Sequence, residues 1–136
     1  MIKRALLTAF AFGVINIAAA DRDADDKVLY FDNDPKGIKH LKFDQFDPLI
    51  PRINNFEIIE ISYLSNNRGE RWALMTLKNE SAGQRILKND NVVATFADGS
   101  QRFATQLGEK FSGSEVLTRA VFFGVHRFPI VKVSVD

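Results

Sequence analysis

The chain contains no cysteine. Disulfide-stapled scaffolds, thiol redox chemistry and lipid attachment at a cysteine are therefore excluded, and any fold must be held by its core alone. Histidine is nearly as scarce, with only His40 and His126 available as neutral-pH bases. Neither sits in a catalytic motif, because a G-x-S-x-G elbow, an H-E-x-x-H pair and a Walker loop are all missing. A Ser-His-Asp site would have to be assembled in space, and a three-ligand zinc site would need both histidines plus a carboxylate. The sequence thus predicts no catalytic residues, no metal ligands and no cofactor. Charge of one sign is also lacking: the formal net charge is +1 with no basic stripe, which argues against a nucleic-acid partner.

What is present begins with MIKRALLTAFAFGVINIAAA. Lys3 and Arg4, an apolar run and Ala18-Ala19-Ala20 before the acidic DRDADD have the layout of a secretory signal peptide cleaved after Ala20. The competing reading is a membrane anchor, but Ala5 to Ala20 contains Asn16 and falls short of the roughly 20 residues needed to span. The expectation is a periplasmic or secreted protein with no membrane span left after cleavage. Cleavage leaves Asp21 to Asp136, with 16 basic against 17 acidic residues. Asp21 to Asp26 is expected to be a flexible acidic N-terminus, and residues 27–136 a single domain of ordinary size. Ten of the twelve Phe follow Ala20, and they can supply its core.

The strongest local signal is NVVATF-ADGS-QRFATQ, Asn91 to Gln106, two alternating runs across Asp98-Gly99. Such a pair predicts a two-residue type I′ hairpin with positive φ at both Asp98 and Gly99. Alternation then puts Val92, Ala94, Phe96 and Phe103 on one face and Thr95, Ser100 and Arg102 on the other. Further strands are predicted at 27–31, 38–43, 56–64, 71–78, 115–124 and 128–135. The 71–78 run (RWALMTLK), with Trp72 and Leu74 opposite Ala73, Met75 and Leu77, reads as a central strand. Residues 44–55, broken by Pro48 and Pro51, read as a loop tacked down by Phe46, Leu49, Ile50 and Ile53. Residues 79–91, with at most one helical turn, and 107–114 read as connectors. Seven or eight short strands without helical period predict an all-β, antiparallel sandwich, with a small closed barrel as the alternative.

RWALMTLKN, VVATFADG, FSGSEVLTRAVFFG and FPIVKVSV together resemble the plan of small exported immunoglobulin-like domains of Gram-negative bacteria. The likeness covers about Phe56 to Val135 and is one of layout. It lacks the two cysteines of antibody-type domains, so Trp72 has no disulfide to pack against. It implies an immunoglobulin-like β-sandwich with a binding or assembly role towards a protein partner, through a strand edge or loops, and carries over no functional residues.

A small-molecule or metal-ion (calcium) binding periplasmic protein is the alternative, calcium because the mature N-terminus is rich in aspartate: Asp21, Asp23, Asp25, Asp26, Asp32, Asp34, Asp44 and Asp47. Asp32 to Gly37 begins like an EF-hand loop but fails at Lys36 and at Phe43, where oxygen ligands belong. The aspartates therefore read as a solvated segment and turn formers. Asn79-Glu80-Ser81 matches a glycosylation sequon. Phe122, Phe123, Phe128, Trp72 and Tyr63 could line a ligand groove, with core packing the favoured role. An exposed apolar edge near Phe128 would mark a partner site.

Overall fold

Nine strands follow one another in the computed structural model, which describes residues 24–32, 41–44 and 48–136. The signal-like stretch, His40, Phe46 and four of the aspartates (Asp21, Asp23, Asp34 and Asp47) lie outside the described residues. The strands are β1 (Tyr30–Phe31), β2 (Phe56–Ser65), β3 (Glu70–Asn79), β4 (Arg85–Lys88), β5 (Val92–Phe96), β6 (Gln101–Phe103), β7 (Gly108–Phe111), β8 (Val116–Val125) and β9 (Ile130–Val135). A four-stranded sheet runs β1-β2-β3-β8, a three-stranded sheet runs β6-β5-β9, and β4 pairs with β7 as a ribbon. Every pairing is antiparallel. This is the expected all-β, sandwich-like fold and not a closed barrel. An isolated bridge, Thr105 to Phe122, links the chain after β6 to β8.

Alternation along each long strand decides the core. In β3, Ala73, Met75 and Leu77 point inward, and their pairing partners Val121 and Leu117 on β8 share that face. Val92, Ala94, Phe96, Ile130 and Val133 close over them from the other sheet, while Leu87 and Phe111 arrive from the ribbon. Phe56 meets Phe111 edge to face at 5.0 Å. Phe96, Phe111 and Phe123 are completely buried, so each removes an aromatic ring from water and contributes on the order of 1.5 to 3 kcal/mol.

Several local expectations are corrected. The hairpin loop has three residues, Ala97, Asp98 and Gly99: the Phe96 carbonyl accepts the Gly99 N–H, and the Phe96 N–H donates to the Ser100 carbonyl. Only Gly99 has positive φ (+87°), and Asp98 does not. The register is therefore Val93 to Phe103, Ala94 to Arg102 and Thr95 to Gln101, one residue away from the expected pairing. A one-residue shift exchanges faces, so Arg102 and not Phe103 shares the core side with Phe96. In β2 a bulge at Ile59 turns that side chain outward, leaving Ile58, Ile61 and Tyr63 against the core. Trp72 and Leu74 lie on the outer face of β3 and do not cover the hairpin.

The strand expected at 27–31 shrinks to Tyr30–Phe31, and Leu41 to Phe43 are not strand. Ala24 to Asp26 form a helical turn. The connectors at 79–91 and 107–114 contain β4 and β7, each only four residues long. Ile50 and Ile53 are exposed and tack nothing down. Residues 48–54 are held by polar bonds instead: Leu49 N–H to Gln101 Oε1, Arg52 N–H to the Asp90 carbonyl and Asn54 N–H to the Asp136 carbonyl.

Candidate functional site

The hairpin end brings together three residue types that could do chemistry. Asp98 and Ser100 flank Gly99, and His126 arrives from the turn between β8 and β9. The Phe128 N–H donates to His126 Nδ1 at 3.0 Å, so in the neutral ring the proton sits on Nε2. Nε2 then donates to Ser100 Oγ at 2.9 Å, and Ser100 Oγ donates to Asp98 Oδ1 at 2.6 Å. In a hydrolytic triad the hydroxyl gives its proton to the imidazole and the carboxylate holds the opposite ring nitrogen. Here the proton order is reversed and the carboxylate sits on the serine, so the arrangement does not activate Ser100 as a nucleophile. The Ser100 hydroxyl, with the Ser100 N–H and the nearby imidazole also contributing, holds the Asp98 carboxyl below its usual value against the opposing effect of desolvation.

The same residues lock three turns together. The His126 ring stacks on Phe96 at 3.7 Å and 6°. Its backbone N–H donates to the Gly69 carbonyl, and Arg71 reaches the carbonyls of His126 and Arg127. Arg102 lies over the Phe96 ring and donates to the carbonyls of Phe123 and Val125. It fits because Gly124, at φ +85°, has no Cβ: one built there would lie 2.7 Å from Arg102 Nη1. Thr105 bonds the Phe122 carbonyl and Arg119 the Thr118 carbonyl, so carbonyls along the side of β8 away from β3 are occupied by the chain itself.

Of the residues singled out from sequence, Phe96 and Phe123 are core, Asp98 and Gly99 shape the turn, and Phe103 is half-buried opposite the core side. Phe128 is exposed beside His126. Sequence reasoning missed Ser100, Arg102 and His126 as one group. The available signal was Gly124 inside an otherwise apolar strand, which marks a bulge or a close approach. Asn79 is fully buried, with Nδ2 donating to the carbonyls of Gly83 and Ser112 and Oδ1 accepting from Ser81 N–H. The sequon is thus a structural asparagine whose amide is engaged inside the fold. Among the described residues, no three His, Asp or Glu side chains gather as a metal ion would require. A polar cleft of about 250 Å³ between Arg52 and Asn91 is crossed by its own bonds, among them Asn91 Nδ2 to the Arg52 carbonyl and the Arg52–Asp90 ion pair.

The outer face of the four-stranded sheet is different. Register places Phe31, Leu64, Trp72 and Phe122 in one cross-strand row, followed by Ser62, Leu74 and Ala120, then Glu60, Thr76 and Thr118, then Glu57, Lys78 and Val116. Trp72 and Phe122 pack ring to ring at 4.6 Å. Phe31 is 65% exposed, and Leu74 and Val116 are exposed as well. The Trp72 Nε1–H is buried and finds no acceptor. The face therefore grades from aromatic at one end to acidic at the other. Glu80 adds to the acidic end: its carboxyl is raised above its usual value by a side-chain hydrogen bond with Glu57 and by that neighbour's charge.

Comparison with protein-family models, curated proteins and solved structures finds no significant match to this chain.

Proposed function

We propose that the chain is an exported, immunoglobulin-like binding or assembly module that acts on a protein partner without catalysis. The observation that carries this reading is the outer face around Leu74, where an aromatic row and an exposed leucine lie on the four-stranded sheet. Contiguous exposed apolar surface on a folded domain marks an interaction site. Export rests on Lys3-Arg4, the apolar run and Ala18 to Ala20. The reversed proton order at Ser100 supports the absence of catalysis at the hairpin end, where Asp98, Ser100 and His126 meet among the described residues.

A photo-crosslinking residue at Leu74, in protein expressed in a Gram-negative host and recovered from the periplasm, tests the reading. A discrete protein adduct is expected from Leu74 and not from Lys110 on the ribbon, with the chain beginning at Asp21 by mass. A protein retaining residues 1–20 in the cytosol, or identical adducts from both positions, would sink it.

A further inference from the structure

The outer face of the four-stranded sheet carries two kinds of chemistry along one direction, and together they specify an occupant. At one end lie Trp72 and Phe122, with Leu74 one row on. At the other lie Glu57 and Glu60, with Glu80 beside Glu57. Two residues along a strand advance about 6.7 Å, so the aromatic row and the Glu57 row are separated by about 20 Å. Between them lie two rows in which Leu74 and Glu60 are flanked by the smaller Ser62, Ala120, Thr76 and Thr118, with the two threonine hydroxyls bonded to each other at 2.8 Å. Such a surface accepts a segment laid along the strands on its face.

We propose that this face docks a segment of a partner protein that is apolar at one end and cationic at the other, its large side chains against Trp72, Leu74 and Phe122 and its Lys or Arg side chains against Glu57, Glu60 and Glu80. The proposal rests on the protein-binding reading above and names the chemistry of that partner. Two considerations select this occupant. Among the described residues, register sets one cation, Lys78, beside Glu57 and Glu60, with Glu80 next to Glu57, so this end carries an excess of negative charge that a partner cation would meet. The same carboxylates disfavour an anionic bilayer, which attracts Lys and Arg rather than Glu.

Trp72 is the chain's only tryptophan and stands on the proposed surface, so its emission reports directly on an occupant. The probe is an extended eight-residue peptide carrying Leu at its first alternate positions and Lys at its last, titrated into the purified protein. Two companions carry Glu in place of Lys or Ser in place of Leu. A saturable shift in Trp72 emission is expected with the first peptide only. Affinity falls about tenfold in Leu74→Glu and, separately, in the triple variant Glu57→Gln, Glu60→Gln, Glu80→Gln. Both variants keep the melting midpoint of the parent, and added salt weakens binding to the parent more than to the triple variant. An equal response to the Glu peptide, no response to any peptide, or a response to anionic lipid vesicles would each overturn the proposal. So would a shift on concentrating the protein alone together with a sedimenting dimer, which would make the occupant a second copy. In any of these cases a Leu74 adduct to a protein in the periplasm would leave the protein-binding reading standing.

Discussion

The two sheets have two outer faces, and the chain treats them in opposite ways. On the three-stranded sheet, Val93 and Thr95 point away from the core yet are only 1% and 4% exposed. Residues 48–54 are bonded to this layer, with the Leu49 N–H on Gln101 Oε1, and Gln101 Nε2 in turn donates to Thr95 Oγ1. On the four-stranded sheet, the corresponding outward residues Leu74 and Ala120 are exposed. Both outer faces are written in apolar and small residues, so alternation alone does not distinguish them. The difference lies in where the proline-broken segment runs. A sheet buried on both faces is structural throughout, whereas one with an apolar face left open has surface available for recognition.

Truncating the interior should break both layers at once. Phe123→Ala removes a fully buried ring from β8 and is expected to cost about 3 to 5 kcal/mol, read from urea denaturation. The same change at Phe122, on the open face one residue away, should cost clearly less. Equal losses would mean that the open face is packed as tightly as the core. Asn79→Ala comes next, at about 1 to 3 kcal/mol, because it empties a fully buried site and leaves the carbonyls of Gly83 and Ser112 and the Ser81 N–H without their partner. Asn79→Ala matching the stability of the parent would show that these groups find water instead.

How much of this was legible follows from what each signal encodes. The long strands β2, β3, β8 and β9 announce themselves through β-branched and aromatic alternation, and β3 is central as its two apolar faces suggest. β4 and β7 were not legible, because RILK and GEKF are too short for a period and are strands only by pairing with each other. The hairpin was half legible. Asp-Gly marks the turn, but the same pair serves a two-residue loop and a three-residue loop with glycine in the left-handed region, and the two differ by one step of register. That step put Arg102 over the Phe96 ring and assembled the Asp98, Ser100 and His126 group, which no spacing in the chain announces. Gly99→Val tests the revised hairpin. A Cβ there would lie 2.7 Å from the Phe43 ring at φ +87°, so a loss of about 1 to 3 kcal/mol is expected in thermal melts. Asp98→Val should be far milder, since Asp98 has no positive φ. A comparable loss from both valines would restore the two-residue turn with positive φ at both positions.

Asp98 offers a smaller, pH-dependent test. Its folded carboxyl is held below the usual value of 3.8, so ionised Asp98 stabilises the fold above that pH and the contribution is lost as pH falls through the lower, folded value. The group is exposed and screened, so the effect is slight. Melting midpoints from about pH 5 to about pH 2 should fall more steeply in the parent than in Ser100→Ala, which removes the largest cause of the shift. Superimposable profiles would show that the hydroxyl does not hold the carboxylate.

The smallest change in stability should come from the centre of the open face. Leu74→Gln keeps a side chain of similar length on a site already in contact with water, so unfolding free energy should move by no more than about 0.5 kcal/mol. Its counterpart on the covered face, Val93→Gln, puts an amide where the native side chain is 1% exposed and should cost several times as much. The pair isolates the asymmetry, since both positions lie on outward-facing sides of central strands. If Leu74→Gln destabilises as strongly as Val93→Gln, the chain itself covers both faces, and the surface around Trp72 is core rather than a place for a partner.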